Sequence, residues 1–483
     1  MIDVGTTCQL FIDDHVVEHR EGLERLFHPP TKDPEPVILA DRPWEQPGFL
    51  GVLGNCVFYD EADGGYRMYY QAYRVFPDLS EFLRPALAVS SDGLRWEKPD
   101  LGLAEEDGSR ANNLLCSAAD PRWQRDWWAY NNVVRDPRDP DPGRRYKALG
   151  HGIFDRHLGG AARSGVIVAF SADGLRWTEP PENPVLPNGD THTLLGWDAG
   201  IGRYVAYPRT SRLEGYCSDV RWDPERQELV ARGRGPARRC IGRSTSEDFL
   251  HWTDPETVLA RTPDDPPDYE IYGMPVYRCH DLYLGLPWSF IGAGWEPLDT
   301  RLCVSRDGRS WQPVGGQERF LTLGRPGAPD DCYAVAAAPI EVGEELVFYY
   351  MGAGFPHGSP YARERRREAS VCRARLRLDG YVSLGCRFDS GGELVTRPLR
   401  WAGHRLRINA DCRRGWLRAE LRDAEDRPIP GFTDAECDTF HGDAVSHEVT
   451  WGGRGDLTGL IGQPLRVQLQ LGDGEVFSLG FGE

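Results

Sequence analysis

Acidic side chains stand at the start of several short apolar runs in the sequence. Asp190 precedes THTLLGW, Glu270 lies in DYEIYGM, and Asp331 precedes CYAVAAA. If these runs are strands that start at one rim, their carboxylates converge on one cavity. Two such carboxylates can act as a general acid and as a base or nucleophile, and crowding them favours a proton donor. We rank Glu270 as the general acid, Asp190 as the nucleophile or base, and Asp331 as a third member.

Polar and aromatic residues near the same strand starts are candidates for binding a small hydroxylated ligand. They are Asn55, Asn131, His192, Arg209, Tyr272 and Trp288. The alternative for each carboxylate is a solvated group on the rim, and the alternative for His192 and Trp288 is ordinary packing. Phosphate-loop, HExxH and GxSxG motifs are absent, so we expect no metal and no cofactor.

One seven-residue phrase recurs four times along the chain. It reads SSDGLRW at 90–96, SADGLRW at 171–177, SEDFLHW at 246–252 and SRDGRSW at 305–311. Asp-Gly between extended runs is a strong hairpin signal, because Asp bonds nearby backbone N–H groups and Gly tolerates a positive φ. We therefore interpret the phrase as a structural turn covered by its Trp, and not as a catalytic motif.

The sequence before each phrase also repeats, and each copy predicts a strand, a polar turn and a second strand. NCVFYDEADGGYRMYYQAY (55–73) and NNVVRDPRDPDPGRRYKALG (131–150) are two copies. Five units of four strands predict an all-β fold with a five-bladed β-propeller over residues 1–385, closed by QLFIDDHVVE at 9–18. Short alternating runs over residues 391–483 predict a separate C-terminal β-sandwich.

Charge and composition exclude several classes of partner. The net charge of −18 argues against nucleic acid, which needs a basic surface. Neither a signal peptide nor a membrane span is visible, and the 12 Cys form no CxxC pair. We expect a cytoplasmic protein with reduced thiols that binds no membrane. The sequence is compatible with a homo-oligomer.

Several segments resemble bacterial proteins described as glycoside hydrolase family 32-like. The segments are FIDDHVVE, WEKPDLGLAEEDGSRANNLL (96–115), VVRDPRDPDPGRRYKALG and PIPGFTDAEC (428–437). The resemblance implies a propeller of the family 32, 43 and 68 type, followed by a sandwich as in family 32. It also implies a carbohydrate substrate.

The catalytic pattern of that family is not reproduced. No WMNDPNG-like motif is present, and the dipeptide EC occurs at 436–437, in the predicted sandwich. Arg135-Asp136-Pro137 matches the family's RDP motif, but Asp136 aligns with Asp60 and Asp198 at the end of an innermost strand. We therefore place Asp136 in a turn.

Three functions remain open from the sequence. The first is a glycoside hydrolase acting on a furanoside or other short oligosaccharide, so that the partner is a small carbohydrate. The second is a carbohydrate-binding propeller without catalysis. The third is a propeller lyase or isomerase that is assisted by a metal.

Overall fold

The computed structural model is built almost wholly from β-strands, which confirms the predicted all-β class. It describes residues 1–45, 48–75, 81–116, 129–154, 163–187, 191–213, 220–223, 228–231, 237–291, 296–357, 368–387 and 391–482. Within these ranges the helical segments are the short 3-10 turns Pro43–Glu45, Pro142–Arg144 and Thr458–Leu460. No helix in the described ranges has the length and apolar character needed to cross a bilayer.

Antiparallel sheets follow one another along the chain, and we number them as blades 1 to 5. Blade 1 contains β6 (Gly48–Gly51), β7 (Val57–Asp60), β8 (Gly65–Val75) and β9 (Glu81–Ser90). Blade 2 contains β10 (Ala129–Arg135), β11 (Tyr146–Phe154), β12 (Arg163–Ser171) and β13 (Leu186–Pro187). Blade 3 contains β14 (His192–Asp198), β15 (Arg203–Leu213), β18 (Ala237–Ser246) and β19 (Glu256–Leu259). A side hairpin, β16 (Val220–Asp223) and β17 (Glu228–Ala231), is inserted in blade 3.

Blades 4 and 5 have interrupted strands. Blade 4 contains β20 (Tyr269–Ile271), β21 (Val276–Cys279), β22 (Leu282–Gly285), β23 (Trp288–Ile291), β24 (Leu298–Thr300), β25 (Leu302–Ser305) and β26 (Gln312–Val314). Blade 5 contains β27 (Tyr333–Ala336), β28 (Ile340–Val342), β29 (Glu345–Ala353), β30 (Ala369–Arg377) and β5 (Thr31–Lys32).

Hydrogen bonds join each blade to the next around a closed ring. The donors and acceptors, from the junction of blades 1 and 2 onward, are Val133 N to Asn55 O (2.9 Å), Leu194 N to Asn132 Oδ1 (3.0 Å), Thr193 Oγ1 to Met274 O, Trp288 Nε1 to Ala336 O (2.9 Å) and Ala338 N to Gly54 O (3.2 Å). The last bond returns from blade 5 to blade 1. Blades 4 and 5 share one sheet, because β24 pairs with β27 in parallel, and the closed order of the five blades is that of a five-bladed β-propeller.

The strand that closes blade 5 comes from a different segment than the sequence predicted. β5 pairs with Ala374 and Arg375 of β30, and Ile38 bridges to Val371. Residues 9–18, the predicted closing segment, pair instead with strands near the C-terminus. The physical reason is that Phe11, Val16 and Val17 are buried in the C-terminal core, while Leu10 and Ile12 pack against blades 4 and 5.

Two sheets enclose that C-terminal core. One has the order β36 (Asp443–Glu448), β34 (Arg405–Asp411), β38 (Glu475–Gly482), β31 (Val382–Gly385) and β4 (Glu24–Phe27), with β2 (Gln9–Leu10) also on β38. The other has the order β3 (Val17–Glu21), β32 (Gly392–Thr396), β37 (Arg466–Gly472) and β35 (Trp416–Arg422). β1 (Ile2–Gly5) pairs with β33 (Leu399–Trp401). The sequence predicts a boundary between propeller and sandwich at 385–391. The strand pairing differs from that division, because residues 1–27 and β31 belong to the C-terminal sheets.

The recurring phrase folds as the same turn in every copy. In SADGLRW, Asp173 Oδ1 accepts hydrogen bonds from Leu175 N (2.8 Å) and Arg176 N (2.9 Å), and Ser171 Oγ accepts one from Gly174 N (2.9 Å). The residue after each Asp has a positive φ: Gly93 (71°), Gly174 (74°), Phe249 (68°) and Gly308 (68°). The structure thus confirms the turn interpretation.

The phrases also connect neighbouring blades through tyrosines. Tyr69 of blade 1 donates to the carbonyl of Gly174 in blade 2 (3.0 Å), and Tyr207 of blade 3 donates to Gly308 in blade 4 (3.0 Å). Tyr349 of blade 5 donates to Gly93 in blade 1. The Trp of each of these phrases lies edge-on to the same tyrosine, at 5.4–6.3 Å between ring centroids. The phrase therefore fixes the spacing between blades.

We expect Asp173→Ala to destabilise the propeller without changing its active-site chemistry. The substitution removes the acceptor for two backbone N–H groups, and losing such a cap costs about 1 kcal/mol. Chemical denaturation should show this loss, whereas Asp254→Ala, at an exposed aspartate that follows the phrase of blade 3, should stay close to the parent. Unchanged stability with lost activity in Asp173→Ala would show that the phrase is catalytic.

The turn aspartates also predict acid sensitivity. Hydrogen bonds from the backbone N–H groups of Arg95 and Leu94 lower the pKa of Asp92 to about 2. Burial alone would raise the pKa of Asp307, but the backbone N–H groups of Ser310 and Arg309 lower it to about 2. A carboxyl with a lowered pKa stabilises the fold fully above its unfolded value of about 4, and this contribution is lost as the pH falls toward 2. Melting temperatures should fall over that range, and a flat profile would contradict the assignment.

Candidate funnel-mouth site

The innermost strands of blades 2 to 5 all start at one end of the propeller, which we call the mouth. The four phrases and the turns that end the innermost strands lie at the opposite end. Side chains near His192, Tyr269 and Tyr333, where β14, β20 and β27 start, are therefore at or near the mouth. The ends of β15, β23 and β29 lie at the same end, because these strands run antiparallel to the innermost ones.

Charged and aromatic side chains from blades 3, 4 and 5 meet at this end. We define the mouth cluster as Arg209 of β15, Arg239 of β18, Glu270 and Tyr272 at β20, and His357 after β29. Strand pairing sets their spacing, since Arg209 lies opposite Ile241 and Glu270 lies opposite Phe290. The sequence predicted three of these five residues, namely Arg209, Glu270 and Tyr272.

Glu270 is a buried carboxylate held by arginines of the neighbouring blade. Its side chain is 9% exposed. Oε2 accepts hydrogen bonds from Arg239 N (3.2 Å) and Arg239 Nη1 (2.9 Å), and Oε1 accepts one from Arg238 Nη1 (3.3 Å). All three partners are N–H donors, and two of them belong to guanidinium groups, so the carboxylate lies in an ion-pair network.

Tyr272 connects Arg209 to His357. Its hydroxyl lies 2.7 Å from Nε2 of His357, and its carbonyl accepts hydrogen bonds from Arg209 Nη2 (2.9 Å) and Nε (3.2 Å). The Arg209 guanidinium lies over the Tyr272 ring at 4.3 Å from the centroid. Arg209 also donates to Thr191 Oγ1. A half-buried ring, a hydroxyl and an imidazole thus occupy one surface, which can contact a small polar ligand.

Phe290 extends the aromatic surface below these residues. Its ring centroid lies 5.8 Å from that of Tyr272 and 5.4 Å from that of His357, and the Arg239 guanidinium lies 5.0 Å from it. Because Phe290 is only 4% exposed, it supports the surface and does not form its outer layer.

Three predicted binding residues lie deeper than the mouth or within the core. Asn55 Nδ2 donates to the carbonyl of Val276 (2.9 Å), which joins blade 1 to blade 4 across the ring. His192 is 1% exposed. Trp288 is also 1% exposed and lies between blades 4 and 5, so the prediction that it stacks on a sugar is wrong for this structure.

Two further predicted residues cannot be placed. Asp190 lies outside the described residues, and so does the side chain of Asn131. Their proposed roles stay predictions from the sequence.

Asp331 faces a different cavity from the mouth cluster. Its Oδ2 accepts a hydrogen bond from Gly327 N (2.8 Å). It lines a cavity of about 510 Å³ beside the start of β27 and the end of β29, together with Glu35, Leu39 and Glu368. The convergence of Asp331 with Glu270 stays a prediction from the sequence.

Asp299 has a raised pKa, but its side chain does not point toward the mouth cluster. Burial raises the pKa of its carboxyl, although the neighbouring Arg319 acts in the opposite direction. It lies opposite Ser289, whereas Glu270 and Leu298 lie opposite Phe290. Since side chains alternate along a strand, Asp299 is on the other face of the sheet from Glu270.

The RDP aspartate is placed as the internal alignment predicted. Asp136 follows the last residue of β10, at the end opposite the mouth. Its Oδ2 accepts a hydrogen bond from Tyr204 OH (2.5 Å) and lies 3.2 Å from Lys147 Nζ. Burial raises the pKa of Asp136, but Tyr204 and Lys147 outweigh burial and leave the pKa lowered. It therefore joins blades and does not face the funnel.

Sequence reasoning missed three residues of this region: Arg238, Arg239 and His357. The arginines are adjacent in ARRCIG, and both pair with Glu270. Nothing in this short sequence indicates that both side chains contact one distant carboxylate. His357 follows β29 in GAGFPHG, and only the ring closure of the propeller brings it to Tyr272.

No protein-family model matches the chain, and no curated protein does. Several solved structures are similar at low identity. A glycosyl hydrolase from Bacteroides ovatus has 12% identity and a TM-score of 0.46, and covers 73% of this chain and 94% of its own. An N-acetylgalactosamine deacetylase from F. plautii has 13% identity and a TM-score of 0.45, with 75% and 97% covered. A β-1,2-mannobiose phosphorylase from Listeria innocua has 10% identity and a TM-score of 0.44, with 72% and 96% covered. Similarities this weak carry no argument about activity.

We expect Asp136→Asn to lower stability and to leave turnover unchanged. The amide keeps the shape but removes the charge that partners Lys147, and a weakened buried hydrogen bond to a charged group costs about 1–3 kcal/mol. Thermal melting and activity should be measured on the same preparation. Lost turnover at an unchanged melting temperature would return Asp136 to the catalytic site.

Proposed function

We propose that the protein is a glycoside hydrolase that binds a furanoside or another short oligosaccharide at the mouth cluster. The observation that carries the proposal is a buried carboxylate, Glu270, set beside the half-buried ring of Tyr272. A ring of this kind contacts the apolar face of a sugar, and the Arg209, Tyr272 and His357 groups suit its hydroxyls.

The contacts of Glu270 support a different role from the one that the sequence favours. A general acid must carry the proton that it gives to the leaving oxygen. Glu270 instead accepts hydrogen bonds from N–H groups of Arg238 and Arg239. These contacts favour the role of base or nucleophile, in which the carboxylate activates water or attacks the anomeric carbon.

Hydrolysis needs a second carboxyl group as proton donor. We propose Asp190 for this role, which exchanges the two roles assigned from the sequence. In the resulting reaction, Asp190 protonates the glycosidic oxygen while Glu270 acts on the opposite side of the ring. Asp331 is left out of this scheme, because it lines another cavity.

A carbohydrate-binding propeller without catalysis is the second candidate. One observation favours it: the only buried carboxylate of the defined mouth cluster is already paired with two arginines. A screen of aryl glycosides and oligosaccharides separates the two candidates, because a binding protein retains affinity but shows no turnover.

We expect Glu270→Gln to lower turnover at least about 100-fold on both activated and natural substrates. The loss is general because a base or nucleophile is needed whatever the leaving group. Glu344→Gln, on an exposed turn at the opposite end, serves as the matched control and should keep parental activity.

Two other results would change the assignment. If Glu270→Gln retains activity on substrates with good leaving groups, Glu270 is the general acid that the sequence predicts. If the variant turns over every substrate at the parental rate, Glu270 has no catalytic role.

A further inference from the structure

Three potential metal ligands meet far from the mouth, where the C-terminal sheets contact the propeller. They are Cys8, which precedes β2; His280, in the turn after β21 of blade 4; and Asp379, in the turn after β30 of blade 5. Their Sγ, imidazole N and carboxylate O atoms all lie within 4.8 Å of one another. Three separate segments of the chain thus converge on one point.

The carboxylate of Asp379 is the centre of this group. Its Oδ1 lies 2.9 Å from Nε2 of His280, and its Oδ2 accepts hydrogen bonds from Cys8 Sγ (3.5 Å) and Ser478 Oγ (3.1 Å). Asp379 is 8% exposed, whereas the His280 side chain is 32% exposed. The site is therefore buried on the carboxylate side and open to solvent on the imidazole side, which gives an ion a path of entry.

Two of the three residues have an uncommon backbone conformation. His280 has a φ of 54° and Asp379 a φ of 59°, in the left-handed region that side-chain-bearing residues rarely adopt. Conformations of this kind persist where the surroundings fix them, and they cluster at ligand sites.

The donor set fits a zinc ion. Thiolate, imidazole and carboxylate are its usual ligands, at about 2.3, 2.0–2.1 and 2.0–2.2 Å. Tetrahedral angles at these bond lengths place the ligand atoms about 3.3–3.6 Å apart. Cys8 Sγ lies 3.5 Å from Oδ2 of Asp379, and His280 Nε2 lies 2.9 Å from Oδ1, so binding of one ion requires the carboxylate and the imidazole to shift.

We propose that Cys8, His280 and Asp379 bind one zinc ion, which ties the N-terminal segment to blades 4 and 5. On binding, the Cys8 thiol loses its proton to solvent and the sulfur forms a bond to the metal. Nε2 of His280 and an oxygen of Asp379 supply the other two protein ligands. The fourth position takes a water molecule. The site is independent of the function proposed for the mouth.

Cobalt binding to the full-length protein tests the proposal. Co²⁺ occupies tetrahedral zinc sites, and a bound thiolate gives it an intense charge-transfer absorption in the near ultraviolet. The protein is first treated with a chelator and then titrated with CoCl2. We expect one equivalent to produce this absorption and ZnCl2 to displace it. Zinc should also raise the melting temperature.

Three variants separate metal ligation from a simple hydrogen-bonded group. Cys8→Ser should abolish the charge-transfer absorption, whereas Cys386→Ser, at another half-buried thiol, should retain it. His280→Gln replaces a partly exposed side chain, and we expect it to weaken cobalt affinity at least about tenfold. This variant decides the question if Cys8→Ser fails to fold. Absence of the absorption in the parent protein, or its persistence in Cys8→Ser, overturns the proposal, as does unchanged affinity in His280→Gln.

Discussion

A buried hydrogen bond from tyrosine to aspartate is repeated where successive blades meet. Asp60 of blade 1 accepts it from Tyr146 of blade 2, and Asp136 accepts it from Tyr204 of blade 3. Asp198 accepts the equivalent bond from Tyr283 of blade 4. The three carboxylates are at most 5% exposed. Since a buried carboxylate is costly without partners, each bond restricts how far two blades can separate.

The mouth depends on these contacts although it lies at the other end of the propeller. Glu270 belongs to blade 4, whereas its arginine partners belong to blade 3. Tyr272 of blade 4 likewise reaches His357 beyond blade 5. Because every contact in the mouth cluster crosses or adjoins a blade junction, the angle between blades sets its geometry. The turns at the far end therefore help to fix the positions of the polar residues at the mouth.

Sequence periodicity predicts the repeated elements well, because the relevant interactions are local. The Asp of SADGLRW caps its own turn, and the internal alignment places Asp136 correctly. Ring closure and the site depend on contacts between distant segments, which have no local signature. Thr31 and Lys32 close blade 5, whereas the predicted segment is buried elsewhere. The position of a residue near a strand start also does not show how deeply its side chain is buried. Trp288 is predicted to contact a sugar, although it lies in the core.

The central claim is that a sugar binds at the mouth cluster and is processed there. A crystal structure of the protein with an oligosaccharide selected by the activity screen tests it most directly. The account predicts a sugar ring against Tyr272, with hydroxyls within hydrogen-bonding distance of His357 or Arg239 and the anomeric carbon facing Glu270. A sugar bound in the cavity lined by Asp331 and Glu368, with nothing at the mouth, would contradict the account.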